Sequence, residues 1–386
     1  MPESFKNRLF ITGTLRSGTT LVDKLLNSHP SLTVASQPFF RLFTCVKEKY
    51  YQENNIESLP LSPHFCEPPY LRQNLGHYLK NMVLNDSGIS CLKESIPQIN
   101  RKWSPGITSE KLAGLQSGSF FHILEQCMNI INETYGTNKT KITGIKEVLC
   151  EEFAPVLLEN GYKCIIVIRD PRAAISSAST GRFEKYVGKT RPVLLNIRNW
   201  RKSAAYAVSL SSNPDFCLLK YEEIVCSPEK TLTRISNFLD VETFGKGFSL
   251  DLLKDQEGSP WKGNSSYGEM NGVKNDSLNK WKENLSEKEI SLIEYCCLSE
   301  MIYLDYDLIS NPEITIIDRF KETRTQERVN YATTHYLDDI NRAREKERFG
   351  YLLGKALPSE RAIYDYFFSP EVWQVLRTSL IQKPHN

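Results

Sequence analysis

Short apolar runs alternate along the chain with amphipathic stretches, the pattern of a parallel α/β sheet covered by helices on both faces. Leu9, Phe10 and Ile11 form the first run, which breaks at Thr12-Gly13 and passes through Leu15-Arg16-Ser17-Gly18. A helix is predicted to start at Thr19-Thr20, because Leu21, Val22, Leu25 and Leu26 recur at helical spacing. Leu32–Ser36, Ile142–Ile145, Cys164–Ile168 and Phe216–Leu219 read as further strands. Cys164–Ile168 is uninterrupted and rich in β-branched residues, as a strand buried on both faces should be. The pattern predicts a helix over Glu151–Glu159, closed by Asn160-Gly161 as a left-handed cap. Another is predicted over Pro228–Leu239, with Ser227 as N-cap and Pro228 at the first helical position. This alternation predicts a doubly wound α/β sheet that binds ligands at the carboxyl ends of its strands.

Two regions depart from the alternation. Residues 40–140 are largely helical in pattern, rich in Tyr, Phe and Asn, and carry Pro60, Pro63, Pro68 and Pro69 close together. An insertion at that place is expected to shape a substrate pocket or lid. Residues 311–386 read as a charged helical extension with an aromatic end at Tyr364, Tyr366, Phe367, Phe368 and Trp373. Packing on the core, pairing as a homodimer and covering the site all fit that pattern. The expected organisation is an α/β domain over 1–310 followed by this extension.

Composition narrows the class by exclusion. Lys+Arg at 48 against Asp+Glu at 46 leaves a net charge of +2 over 386 residues, which gives no bias toward nucleic acid or an anionic membrane. No apolar stretch approaches the roughly 20 residues that span a bilayer. The opening MPESFKNR lacks the apolar core of a signal peptide, so a cytoplasmic location is expected. Ten cysteines are scattered with no C-x-x-C pair, and several lie in apolar contexts such as Cys164 and Cys217. Free thiols fit better than disulfides or a metal site.

The loop after the first strand carries the chemistry. A strand, a glycine-containing loop and a helix N-terminus in that order form an anion cradle, with N–H groups and the helix dipole directed at one spot. Gly13 and Gly18 lie five residues apart, as in an NTPase P-loop, but Thr19 follows Gly18 where the NTPase has lysine. The cation sits inside the loop as Arg16. This displacement argues against ATP hydrolysis and for another phosphorylated ligand. In IIVIRDPRAAISSAS, a buried strand delivers Arg169 to its end and a helix begins at Pro171, with Ser177 two turns on. Arg169 and Ser177 can grip one phosphate from two sides.

R-S-G-T-T-L, followed by L-L-N-S-H-P, resembles the 5′-phosphosulfate loop of sulfotransferases that use 3′-phosphoadenosine-5′-phosphosulfate (PAPS) and release PAP. The Arg-to-Ser interval of eight resembles the 3′-phosphate site of the same family. LLKYEEIVCSPEKTLTRISNFL looks like the stretch after the fourth family strand, which implies that Tyr221 lies near the adenine. GSPWKGNSSYG and DSLNKWKENLS resemble the late cofactor-covering loop, with Lys262, Ser266, Ser277 and Lys280 as implied phosphate contacts. The likeness covers residues 8–38 and 140–305.

The resemblance implies a P-loop-like three-layer fold and sulfuryl transfer to a hydroxyl or amine of a small-molecule acceptor, with no metal, nucleic acid or membrane involved. The implied cofactor-binding residues are Arg16, Ser17, Gly18, Thr19, Thr20, Arg169, Ser177, Tyr221, Ser277 and Lys280. Arg16 and Lys146 are the implied stabilisers of charge on the transferring group. The usual general-base positions are occupied by Gln37 and Val148, and strand alternation turns Glu147 away from Lys146. His64, His77, His122 and Glu94 of the insertion could supply a base, and His64 in its Pro-flanked loop and His77 are the favoured pair. Two other readings compete: a P-loop nucleotide kinase or phosphotransferase, and a catalytically idle PAP(S)-binding protein.

Overall fold

The computed structural model describes residues 7–55, 64–65, 67, 71–179, 192–245, 249–250, 253, 260–261, 275–311, 313, 315–321 and 337–382. Five strands form one parallel sheet: β1 (Arg8–Thr12), β2 (Leu32–Ser36), β5 (Ile142–Lys146), β6 (Lys163–Ile168) and β7 (Phe216–Lys220), in the order β2-β5-β1-β6-β7. Two-residue strands β3 (Val83–Leu84) and β4 (Gly118–Ser119) pair antiparallel within the insertion. Central β1 sets Ile11 beside Lys146 of β5 and Thr12 beside Ile166 of β6, so the functional ends of three strands lie side by side.

Strand alternation builds two cores. Leu9, Ile11, Val34, Ile165, Val167 and Leu219 face one side, where the helices Thr19–Asn27 and Pro228–Leu239 bury Leu21, Val22, Leu25, Leu232 and Ile235 against them. Phe10, Ala35, Ile145, Cys164, Ile166 and Ile168 face the other side. That side holds the larger layer, including Phe40–Glu53, Phe120–Tyr135, Val193–Ser209 and Glu287–Tyr303. Helices on both faces of a parallel sheet make the expected α/β fold. The insertion is largely helical as predicted, and Phe43 inserts its ring between Phe10 and Phe153 at 5.8 and 4.7 Å.

Local chemistry moves some boundaries. Glu151–Phe153 forms a 3₁₀ turn and the regular helix runs over Ala154–Glu159, with Pro155 in its first turn, where a missing N–H costs little. The left-handed residue of the Asn160-Gly161 cap is Gly161 alone, at φ 81°. Ser227 stands at the N-cap of Pro228–Leu239, but its side chain caps nothing; its carbonyl takes the Thr231 hydroxyl at 2.9 Å. Among the described cysteines, all nine are free and six are buried. No described helix is long and apolar enough to cross a membrane.

Of the three arrangements open for the C-terminal extension, the structure shows packing on the core. The helices Asp339–Leu352 and Pro370–Gln382 lie against Val193–Ser209 and Glu287–Tyr303. Buried ion pairs weld them there. Glu345 accepts from Arg198 Nη2 at 3.1 Å and from both terminal nitrogens of Arg201 at 2.7 and 2.9 Å. Arg348 donates to Glu300 at 2.5 Å and to the carbonyls of Cys296 and Tyr366. Guanidinium groups this deep require such paired carboxylates.

Candidate active site

The turn between β1 and the first helix is built by backbone constraints. Gly13 has φ 153°, and a Cβ there would sit 2.4 Å from the Val167 carbonyl. Gly18 has φ 100°, and a Cβ there would meet Tyr221 Cδ2 at 2.5 Å. The loop therefore lies flat on β6 at one end and on a tyrosine ring at the other. Ser17 closes it, its hydroxyl donating to the Thr14 carbonyl at 2.8 Å. Gly18 is the N-cap of Thr19–Asn27, and no side chain caps that helix. Leu21 N–H already donates to the Gly18 carbonyl at 2.9 Å, which leaves the Thr19 and Thr20 N–H groups without a partner among the described residues, the arrangement that binds anions.

Arg169 leaves the end of β6 and reaches this loop. Its Nη1 donates to the Arg16 carbonyl at 3.4 Å and its Nη2 to the Ser277 carbonyl at 2.6 Å. The guanidinium lies 4.4 Å from the centre of the Tyr221 ring, whose hydroxyl pairs with Ser277 Oγ at 2.9 Å. Arg16, at φ 67°, turns its Nε to Ser177 Oγ at 3.1 Å. The neighbouring Asp170 is paired with Arg172 at 2.6 Å, and Arg172 also pairs with buried Glu294. Arg169 is therefore not consumed as the partner of Asp170. Behind it, Trp200 Nε1 donates to the Arg169 carbonyl at 2.8 Å and fixes the strand end.

Lys146 ends β5 on the side of the first helix. Its Nζ is 3.5 Å from Thr20 Oγ1 and 3.4 Å from Asp23 Oδ2, and the Trp103 ring of the insertion lies 5.7 Å away. Burial pulls the Lys146 pKa below the usual lysine range, and the Asp23 carboxylate opposes that shift. Asp23 is itself fully buried and also meets Lys24 at 3.1 Å. Glu147 points to the opposite side, where Oε1 accepts the Phe39 N–H at 2.8 Å. Burial raises its pKa to about 8, so it holds its proton at neutral pH. Gln37, at φ 48°, donates its N–H to the Lys146 carbonyl at 2.7 Å and ties β2 to β5 above this pair.

The sequence matches the family described as sulfotransferase domain over residues 6–302. The chain belongs to the sulfotransferase family. Among solved structures it is similar to the sulfotransferase domain of the curacin biosynthetic pathway, at 19% identity over 78% of this chain and 98% of that one, with a TM-score of 0.43. It is also similar to the sulfotransferase domain of the Synechococcus PCC 7002 olefin synthase, at 18% identity over 78% and 96%, with a TM-score of 0.44. Retinol dehydratase in complex with androsterone and the inactive cofactor PAP matches at 14% identity over 80% and 84%, with a TM-score of 0.37. No curated protein sequence matches the chain.

In this sulfotransferase-family chain the structure gathers Arg16, Ser17, Gly18, Thr19, Thr20, Arg169, Ser177, Tyr221 and Ser277 around one loop, with Lys146 joined to it through Thr20. Lys280 follows closely, at the N-cap of Trp281–Asn284. Lys262 and Ser266 lie outside the described residues. The two favoured histidines fall elsewhere, which corrects the sequence expectation. His64 is fully buried among the ion pairs of the extension, 3.7 Å from Glu345 Oε1 and stacked 4.0 Å from the Tyr366 ring. Burial drives its pKa well below the usual histidine range, and Arg198, Arg201 and Arg348 add to the effect. His77 is exposed on Leu71–Asn81, beside Asn81 of its own helix, and His122 and Glu94 are likewise exposed.

Sequence reasoning passed over Asp23 and a cleft beside the loop. The signal for Asp23 was its place three residues after Thr20, on the helix face that carries Thr20 to Lys146. The cleft is lined by Thr14, Leu15, Ala174, Ile175, Ala178, Asn196, Asn199 and Trp200.

Proposed function

We propose that this protein transfers a sulfuryl group from PAPS to a hydroxyl or amine of a small-molecule acceptor. The observation that carries the reading is the contact between the two grips: Arg169 donates to the Arg16 carbonyl while Arg16 reaches Ser177. A ligand with phosphates at both ends of one adenosine fits that donor set. The N–H and hydroxyl groups of Thr19 and Thr20, with Arg16, would hold the 5′ end, and Arg169 with Ser177 the 3′-phosphate. The Tyr221 ring, already stacked with Arg169, offers a flat surface for the base, with Ser277 bonded to its hydroxyl; Lys280, three residues further on, would add a cation. PAPS, when bound, supplies the activated sulfuryl group and a stable phosphate leaving group.

The protein's part is electrostatic. As the S–O bond to the bridging phosphate oxygen breaks, that oxygen keeps the electron pair. Arg16 and Lys146 stabilise the charge there and on the sulfonate oxygens, each contributing roughly 3–4 kcal/mol. Asp23 keeps the buried Lys146 ammonium charged and aimed along the first helix. The acceptor oxygen or nitrogen forms the new bond to sulfur and releases its proton to solvent. With Gln37 and Val148 at the usual base positions and His64 and His77 placed elsewhere, acceptors that need little help fit best: amines and acidic phenols.

Calorimetric titration with PAP, ADP and ATP tests the nucleotide site. PAP should bind most tightly, and Arg169→Ala should weaken it at least about thirtyfold, as for a lost charge-assisted contact. Unchanged PAP affinity in folded Arg169→Ala, or a preference for ATP, would refute the assignment.

A further inference from the structure

A buried ammonium that is to stabilise a reacting group must keep its charge without spending every N–H donor on the protein. Lys146, 1% exposed, is held by oxygens at long range: 3.5 Å to Thr20 Oγ1 and 3.4 Å to Asp23 Oδ2. A close ion pair would lie at about 2.8 Å. The Trp103 ring, 5.7 Å from the same Nζ, supplies further support. An aromatic face attracts a cation through its quadrupole and leaves the N–H donors free of a carboxylate. Trp103 stands in the turn after the helix Asp86–Asn100, between two buried anchors. Asn100 Nδ2 donates to the Pro38 carbonyl at 3.2 Å, and Ser104 Oγ to the Ser36 carbonyl at 2.8 Å. The N–H groups of Trp103 and Ser104 both return to the Asn100 carbonyl, at 2.8 and 2.9 Å. Ser36 is the register partner of Lys146 across β2 and β5, so this turn hangs from the strand beside the lysine. Exposed Lys102 has its Nζ 5.2 Å from the same half-buried ring. The ring therefore lies where the buried ammonium would otherwise meet solvent.

Resting on the sulfotransferase reading, we infer that Trp103 is a positioning residue for Lys146, whose ring covers the ammonium on the insertion side and aims it at the phosphate loop. It acts through the lysine and not on the reacting atoms. With water kept off that face, the Lys146 charge is poorly screened and acts more strongly on the transferring group. Thr20 and Asp23 hold the ammonium from the first helix, and Trp103 holds it from the insertion. The insertion thereby enters the chemistry through one aromatic contact. A leucine at this position fills part of the space and offers no face to the cation, whereas a phenylalanine keeps one.

Pulse acetylation with acetic anhydride, read lysine by lysine by mass spectrometry, tests the cover without any acceptor. The reagent needs an uncharged, reachable amine, and losing the ring favours both. Lys146 should be labelled at least about tenfold faster in Trp103→Leu than in wild type, while Trp103→Phe should stay within about threefold. Lys24 is the internal control, because it is also buried and meets the same Asp23 carboxylate at 3.1 Å. Its rate should not change. Unchanged Lys146 labelling in Trp103→Leu, or an equal rise at Lys24, overturns the inference. Turnover of PAPS with 4-nitrophenol as the probe acceptor reads the consequence. Trp103→Leu should lower kcat about tenfold with the KM for PAPS within about threefold of wild type. In the Lys146→Ala background the same substitution should cost nothing further. An equal loss in both backgrounds would show that the ring does not act through Lys146. If PAP does not bind the wild type, the sulfotransferase reading fails, while the labelling still decides whether Trp103 covers Lys146.

Discussion

Glu147 makes a signed, quantitative test of how the turn after β2 is held. Its carboxyl is fully buried and accepts the Phe39 N–H, and burial raises its pKa from 4.5 to about 8. In the unfolded chain the group ionises near 4.5. Between those two values the folded state keeps a proton that the unfolded state has lost. Stability should therefore fall by about 1.4 kcal/mol per pH unit across this window, with the stabilising contribution fully present below 4.5 and lost as pH rises through 8. From pH 5.5 to 8.5 the loss comes to about 3 kcal/mol by the same linkage. Glu147→Gln keeps an oxygen for the Phe39 N–H and removes the titration. Urea unfolding of both proteins across that range should show the variant gaining on the wild type by that amount. Glu152 and Glu345 have lowered pKa values, Glu152 at about 2, so both stay ionised throughout and drop out of the difference. Parallel profiles, or a wild type that gains stability with rising pH relative to Glu147→Gln, would show that the carboxyl does not hold its proton in the fold.

Other expected outcomes concern the site and its support. Lys146→Ala should lower kcat by about a hundredfold or more while PAP affinity changes little; equal turnover would remove Lys146 from the chemistry. Asp23→Asn should shift the alkaline limb of the kcat profile to lower pH, because burial already lowers the Lys146 pKa and Asp23 opposes it; an unmoved limb would refute the coupling. Gly18→Ala should weaken PAP binding roughly tenfold, since the new Cβ pushes the Tyr221 ring off its place beside Arg169 at a backbone φ of 100°; wild-type affinity by calorimetry would show that the ring is not part of the site. Glu345→Gln should destabilise the fold by about 3–5 kcal/mol, because Arg198 and Arg201 lose the charge that compensates them. A denaturation midpoint within experimental error of wild type would contradict that account.

The parts of the fold that the sequence made legible are those specified locally. Leu32–Ser36 has the predicted bounds, and the other strands differ by a residue or so, because a short apolar run bounded by turn residues is what a strand buried on both faces of a parallel sheet requires. The order strand, glycine loop, helix was equally plain around residues 12–20, since φ 100° and 153° leave little but glycine at two of those positions. What escaped was set by tertiary contact. Asp23 reads as a solvated helix position until β5 brings Lys146 against it. Val193–Ser209 carries Asn196, Arg198, Asn199, Arg201 and Lys202 among its apolar residues and would pass for a half-solvated helix, yet the structure buries it on nearly every side and turns Arg198 and Arg201 to Glu345. His64 looked like a pocket rim because Pro60, Pro63, Pro68 and Pro69 surround it, whereas its neighbours come from nearly 300 residues further on.

The Arg201–Glu345 bond joins residues 144 apart in sequence. During synthesis, α/β strands β1 to β7 and both guanidinium groups of Val193–Ser209 emerge long before the carboxylate that neutralises them. Until then the larger helical layer cannot close without stranding positive charge in an apolar interior, so the nascent chain waits with that layer open. Closure of that layer is thereby tied to the arrival of Asp339–Leu352, which carries Glu345.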